Sequence, residues 1–363
     1  MIDALGYAAH GRHSSLKPMA FQCDEPGASD VQIDVMFCGV CHSDIHQAKN
    51  EWGNTVYPCM PGHEVVGRVK RVGPAVTRFA VGDVVGVGCM IDSCRTCPAC
   101  VAGEENYCEG PNSWLATYNG PMVPAKKAPD GRNSYGRDNT FGGYATTIVV
   151  TEHFVLKIPE TLSPQAAAPI LCAGVTTYSP MKHWGVKAGD KVGVIGFGGL
   201  GDMAVKLARA LGAEVTVFTT SEEKVPLARA LGAGAVVEGD KAALAGLKAS
   251  FDFILSTVPQ SHDLNPFIPL LKRNKAIVVV GALDASKPVN NMEVAGHRRS
   301  VSGSLIGSIA ETQEVLEFCA EHGIAPDIQV IGITEINDAY SHVLEGDVRF
   351  RYVIDIATLR DPA

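Results

Sequence analysis

The sequence is short of positive charge. Its 31 Lys and Arg stand against 39 Asp and Glu, a formal net charge of −8. Phosphate backbones want a basic face, so this balance argues against nucleic acid as a main partner. No polybasic stretch is present for an anionic membrane surface. Long hydrophobic runs are missing too. The best is "AIVVVGAL", Ala276–Leu283, which has the length of a strand. A spanning helix needs ~20 apolar residues, so no membrane segment is expected. The opening "MIDALGYAAHGRH" has no charged-then-apolar leader, which points to the cytoplasm. Repeats and low-complexity segments are absent as well. With 19% charged and 46% hydrophobic residues, the 363-residue chain reads as globular, with length for about two domains.

Cysteine is what the chain has in number. Eleven thiols, an odd count without a leader, do not suggest a disulfide scaffold; reduced thiols partly given to metal fit better.

The texture changes along the chain. Up to about residue 150, short apolar runs alternate with Gly-rich turns: Val31–Met36, Val65–Val69, Val84–Val87 and Tyr144–Val150. This predicts an all-β module. Pro121–Asn139 is polar and turn-rich and reads as a long surface loop. Beyond residue 155, strands alternate with helices. "KVGVIG" is followed by "LGDMAVKLARALGA", with Met203, Ala204, Leu207, Ala208 and Leu211 on one helical face. "EVTVF", a helix over Ser221–Leu231, "FDFILSTV" and "AIVVVGA" continue the pattern. Such alternation predicts a parallel sheet covered on both faces. "ETQEVLEFCAEHG" and "INDAYSHVLEGD" read as helices and "RYVIDI" as a last strand. The predicted division is a catalytic domain over 1–153, a dinucleotide domain over 154–299, and a tail over 300–363 that completes the second and returns to the first.

Gly196-Phe-Gly198-Gly199-Leu200-Gly201 is G-x-G-x-x-G at a strand end opening a helix. Gly196 makes the turn, Gly198 admits a pyrophosphate, and Gly201 lets helix and strand pack. A bare strand–helix turn is the competing reading. An NAD site usually carries an acid at the end of the next strand, on the ribose 2′-hydroxyl. Here "FTTSEEK" offers Thr219, Thr220, Ser221 and Lys224, which would hydrogen-bond a 2′-phosphate, so NADP(H) is favoured. Ser221 also suits a helix cap, and Glu222 and Glu223 suit the helix dipole.

Cys94, Cys97, Cys100 and Cys108 have the spacing C-x2-C-x2-C-x7-C. Four thiolates on one loop fit a closed structural zinc site; disulfides or an iron–sulfur cluster are the competing readings. A second set is scattered: Cys41, His42, Ser43, Asp44 and His46 in "CGVCHSDIHQ", His63 and Glu64 in "PGHEVVG", and Cys172 in "LCAGVTTY". Two thiolates and an imidazole suit an alcohol-oxidising zinc with one open position. Taken singly, each of these residues reads as structural. Cys23, Cys38, Cys59, Cys89 and Cys319 read as small buried apolar residues.

"GVCHSD", "YPCMPGHEVVGRV", "DSCRTCPACVAGEENYC", "FGGYA", "GFGGLG" and "GSIAETQEVLEFCAEHGI" occur in the order found in zinc-dependent medium-chain alcohol dehydrogenases. The chain most resembles the cinnamyl alcohol dehydrogenase-like branch, with its bacterial broad-specificity NADP-dependent aldehyde reductases. The resemblance implies an α/β architecture: a Rossmann-type coenzyme domain beside a mainly β GroES-like catalytic domain. It implies two zinc ions, one catalytic on Cys41, His63 and Cys172 with Glu64 as nearby carboxylate, one structural on Cys94, Cys97, Cys100 and Cys108. Ser43 and His46 match the proton relay, running through the nicotinamide ribose, and Asp44 matches the acid that orients His63. Thr176 and the glycine loop match coenzyme contacts, as Thr220, Ser221 and Lys224 match the 2′-phosphate pocket. Val280, Ala282, Ser302, Gly303 and Ser304 match the nicotinamide end. Trp52 and Trp114 are candidates for the substrate pocket, and "TYN" at Thr117–Asn119 lies near where the family's channel opens. The implied substrate is a small aldehyde or primary alcohol, aromatic or broad in range, and the implied assembly is a homodimer. Two alternatives stay open: an NAD-linked polyol or primary-alcohol dehydrogenase, and a non-catalytic binding protein on this fold.

Overall fold

A computed structural model describes residues 1–110, 113–120, 139–281, 285, 287–346 and 351–360. Residues 121–138 of the expected Pro121–Asn139 loop and the candidate Ala282 lie outside the described residues. The chain forms two compact units, Met1–Cys172 with Ser308–Ala363, and Ala173–Gly307.

The first unit is mainly β. Strand Asp30–Gly39 pairs antiparallel with Val65–Val72 on one side, and with Thr147–Thr151 and Arg351–Asp355 on the other. The sheet continues through Val84–Val87 to Leu156–Lys157, and through Arg351–Asp355 to Ile328–Gly332. Val31, Ile33, Val35, Val65, Val85 and Val150 are buried. Burying each such side chain contributes roughly 1.5–3 kcal/mol. The return of "RYVIDI" to the first unit agrees with the sequence expectation.

The second unit is a parallel sheet in the order Gly234–Val237, Glu214–Thr219, Lys191–Ile195, Phe251–Ser256, Leu271–Val279, Ser300–Gly303. The order reverses beside Lys191–Ile195, the arrangement of dinucleotide folds. Helix Gly199–Ala210 packs Met203, Ala204, Leu207 and Ala208 inward with no exposure. Leu211 is its C-cap and is half-buried.

Two boundaries differ from the sequence expectation. Residues 154–172 belong with the first unit, because Leu156–Lys157 pairs with Val84–Val87 and helix Pro164–Pro169 packs on the first unit's sheet. Residues 300–307 belong with the second, because Ser300–Gly303 pairs with Leu271–Val279. The helix expected over Ser221–Leu231 is shorter. A 3-10 turn, Glu222–Lys224, leads into Val225–Ala230, where Pro226 sits in the first helical turn and no N–H is needed.

Candidate metal and coenzyme sites

The scattered donors converge. The ligand atoms of Cys41, His63, Glu64 and Cys172 all lie within 4.8 Å of one another, and all four residues are buried. Local structure explains the convergence. Cys41 is the N-cap of helix His42–Ala48, and Asp44 at its third position accepts the Cys41 N–H at 2.9 Å. His63 and Glu64 follow Gly62, whose φ of +104° suits glycine. Gly39 leaves room for the carboxylate: a Cβ there would stand 1.9 Å from Glu64 Oε2. Cys172 sits on a single π-helical stretch, Ile170–Gly174, a form that recurs at functional sites.

The chemistry of this group is that of a metal site. His63 Nε2 lies 3.2 Å from Cys172 Sγ, while His63 Nδ1 is held by Asp44 at 3.0 Å. That fixes the ring so that Nε2 faces the thiolates. Contact with Cys172 and His63 outweighs burial and holds the Cys41 thiol well below its usual range. Burial pushes the Glu64 carboxyl up to about 7, although the Arg351 guanidinium opposes it. One Glu64 oxygen pairs with Arg351; the other is buried with no hydrogen-bond partner. Two sulfurs, one imidazole nitrogen and a spare carboxylate oxygen fit a tetrahedral zinc with an exchangeable fourth position.

The loop cysteines form a different group. Cys94, Cys97, Cys100 and Cys108 also place their sulfurs within 4.8 Å of one another, but three of them are only half-buried. Their sulfurs accept backbone N–H groups: Cys97 N to Cys94 at 3.3 Å, Cys94 N to Cys108 at 3.4 Å, and Glu109 N to Cys97 at 3.2 Å. Burial would raise the Cys94 thiol, but the Thr96 and Cys97 N–H groups and the Cys108 and Cys97 thiols bring it down to about 6. The four-cysteine set fits zinc with every position filled.

In the second unit, Gly196 has φ +86° and Gly198 caps helix Gly199–Ala210. A Cβ on Gly201 would meet Gly196 O at 2.3 Å, so the helix packs tightly on the strand end. A Cβ on Gly198 would meet nothing within 4 Å, so the space beside it is open. Gly199 and Leu200 are half-buried. Thr219 is buried and accepts Ser221 N at 3.2 Å, while Thr220 is exposed and Ser221 and Lys224 are half-buried. Ser221 makes no side-chain cap. The Thr176 hydroxyl is buried with no hydrogen-bond partner. Val280, Ser302 and Ser304 are half-buried and Gly303 is exposed; Val280 N and Ser304 N are tied to neighbouring strands.

A profile for the alcohol dehydrogenase GroES-like domain matches residues 27–160, and one for zinc-binding dehydrogenases matches 199–321. The chain belongs to the zinc-binding alcohol dehydrogenase family. An aldehyde reductase of Escherichia coli K12, YahK, is 50% identical over 365 residues, 99% of each chain. A cinnamyl alcohol dehydrogenase of Sorghum bicolor, SbCAD4, superposes with a TM-score of 0.90 at 42% identity, covering 98% of each chain. The CAD of Helicobacter pylori, solved with NADP(H), superposes at 0.88 with 39% identity, covering 98% of this chain and 99% of that one.

Several residues around this dehydrogenase's metal group were not found from sequence. Arg351 was legible only as part of the strand "RYVIDI". Tyr144 donates to Asp44 at 3.2 Å, and the Tyr118 ring lies 5.5 Å from that of His63. Glu51 bonds His46 Nδ1. Ser43 is half-buried next to this network. Trp52 lies 5.6 Å from the His46 ring, whereas Trp114 is buried at 7% exposure and offers little surface. Cys38, Cys59 and Cys319 are buried as expected. Cys23 and Cys89 are only half-buried, and the Cys89 thiol lies against Cys172.

Proposed function

We propose that this dehydrogenase interconverts aldehydes and primary alcohols, with NADP(H) as the hydride carrier and an aromatic or broad substrate range. The observation that carries the reading is the contrast between a filled four-cysteine group and a group of two cysteines and one histidine whose nearby carboxylate keeps one oxygen free. A zinc held by Cys41, His63 and Cys172 would supply Lewis-acid polarisation of a carbonyl, and a bound nicotinamide would supply the hydride. The chain's own residues do the rest. Asp44 holds His63 in one tautomer. Ser43 gives the proton that the reduced oxygen needs, since a hydroxyl donates and accepts at once. His46, steadied by Glu51 at Nδ1, refills it. The Tyr118 ring lies 5.5 Å from that of His63 and the Trp52 ring 5.6 Å from that of His46; they favour a flat or greasy substrate.

NADP(H) is supported by the related structure solved with it, and by the hydroxyls and Lys224 where an acid would repel a 2′-phosphate. The test is kcat/KM for benzaldehyde and a panel of aldehydes with NADPH and with NADH. NADPH is expected to win clearly, and Lys224→Ala should cut the NADPH value about tenfold while sparing NADH. A preference for NADH, or a Lys224→Ala that leaves the NADPH value unchanged, sinks the NADP assignment. A zinc-loaded protein inert to the panel sinks the enzyme. We further propose a cytoplasmic homodimer joined at the edge strand Ser300–Gly303, where Val301 is 37% exposed. Sedimentation of the protein at micromolar concentration tests the dimer, and a monomer there removes it.

A further inference from the structure

Asp44 is fully buried and accepts hydrogen bonds from Cys41 N at 2.9 Å, Gly62 N at 3.1 Å, His63 Nδ1 at 3.0 Å and Tyr144 Oη at 3.2 Å. Two of these donors are backbone, and a third is the ligand being held. The fourth, Tyr144, comes from a distant part of the chain and touches no donor atom of the metal group directly. Its ring is fully buried and packs against the turn that carries His63: a Cβ on Gly62 would lie 2.8 Å from Tyr144 Cδ1. Backbone bonds fix it there, from Tyr144 N to Pro61 O at 3.1 Å and from Tyr7 N to Tyr144 O at 2.9 Å. Tyr340, on helix Ile336–Glu345, donates to the Tyr144 oxygen at 3.5 Å.

Packing alone does not require a hydroxyl here. Phenylalanine fills nearly the same volume with no polar group to desolvate. A phenol in this position has its reason in the carboxylate it meets. Without it, Asp44 Oδ2 keeps only the Cys41 N–H, and the carboxylate gains freedom to swing. Hydrogen bonds in a buried chain also strengthen one another.

We propose that Tyr144 is a positioning residue for the metal group. It locks Asp44, so that His63 keeps its Nδ1–H engaged and its Nε2 aimed at the thiolates, and Tyr340 steadies it from behind. The proposal rests on the zinc reading above, but on no particular substrate.

The experiment compares the zinc-loaded parent with Tyr144→Phe and Tyr340→Phe. Zinc release to a chromogenic chelator is followed, together with the visible absorption bands of cobalt(II)-substituted protein. Tyr144→Phe should release the zinc of Cys41, His63 and Cys172 about tenfold sooner, the usual cost of losing an outer partner, with displaced cobalt bands and the zinc of the loop cysteines unaffected. Tyr340→Phe should move both readouts in the same direction by less, since its bond is longer. A Tyr144→Phe protein that matches the parent in release rate and cobalt bands overturns the proposal, whatever its melting temperature. If Tyr144→Phe does not fold, Tyr340→Phe decides, and parental behaviour there overturns it. Neither readout uses an aldehyde or a nicotinamide. Accelerated zinc release in a protein inert to aldehydes would therefore remove the substrate reading and leave this one standing.

Discussion

The two cysteine groups of the first unit use the same atom to different ends. Cys94, Cys97, Cys100 and Cys108 lie on one loop, half in solvent, and satisfy their sulfurs with N–H groups of that same loop. Cys41, His63 and Cys172 come from separate elements, are buried, and are surrounded by Asp44, Glu64 and Arg351. A local group holds its own geometry. A dispersed group has its geometry imposed by the fold, and here its fourth donor is a carboxylate already tied by one oxygen to Arg351. On the function proposed above, the loud motif fastens and the quiet one reacts.

Four substitutions would break or sharpen that contrast. The largest effect is expected from Cys172→Ser: activity falls to background and metal content drops from two zinc to one per chain, the zinc of the loop cysteines remaining. A fully active Cys172→Ser protein would dissolve the distinction. Ser43→Ala should lower turnover about a hundredfold at unchanged zinc content, the scale of a lost general acid; equal turnover rejects the relay. Cys97→Ser should do the reverse, losing the other zinc and about 5–10 °C of melting temperature while kcat per folded molecule stays near parental. Calorimetry beside active-site titration measures both, and a collapse of kcat without a fall in melting temperature would mean the loop group takes part in chemistry.

The smallest effect concerns Glu105, just before Cys108. Burial would raise its carboxyl, but His153 Nε2 at 3.0 Å and Ile309 N at 3.4 Å outweigh burial and hold it below its usual 4.5. A depressed carboxylate stabilises the fold fully above the unfolded value and loses that contribution as pH falls through the folded one. Glu105→Gln should therefore cost about 1 kcal/mol at neutral pH, with the gap to the parent closing below about pH 4.5. Urea melts at pH 7 and pH 3.5 check it; a gap that widens in acid contradicts the assignment.

How much of this was legible depended on distance along the chain. The four-cysteine loop and the glycine loop were readable because their parts are neighbours, and a turn or a knuckle is set by adjacent residues. Strands such as Val65–Val72, Val84–Val87, Lys191–Ile195 and Leu271–Val279 followed from Val-rich runs, whereas Ile2–Ala8, Gly234–Val237 and Ser300–Gly303 were not expected. Residues 154–172 were misplaced because a two-residue strand, Leu156–Lys157, decides their allegiance and has almost no pattern to read. Cys41, His63 and Cys172 were found through resemblance to a family, since their spacing alone proves no convergence. Arg351 and Tyr144 were missed: each acts through a carboxylate far away in sequence, which only folding brings near. Thr219 looked available beside Thr220, yet the turn uses its hydroxyl to hold Ser221 N.

The division of the first unit into two stretches of chain, 1–172 and 308–363, has a consequence for biosynthesis. The four-cysteine loop can take its metal as soon as Cys108 leaves the ribosome. The other group has its last ligand at Cys172, but the guanidinium that pairs with Glu64 arrives only with Arg351, about 180 residues later. At ordinary elongation rates that is a wait of roughly ten to forty seconds. During that interval Glu64 lacks its Arg351 partner, and the Ile328–Gly332 and Arg351–Asp355 side of the sheet is still missing. The loop cysteines are thus complete in the nascent chain well before the surroundings of the dispersed group are.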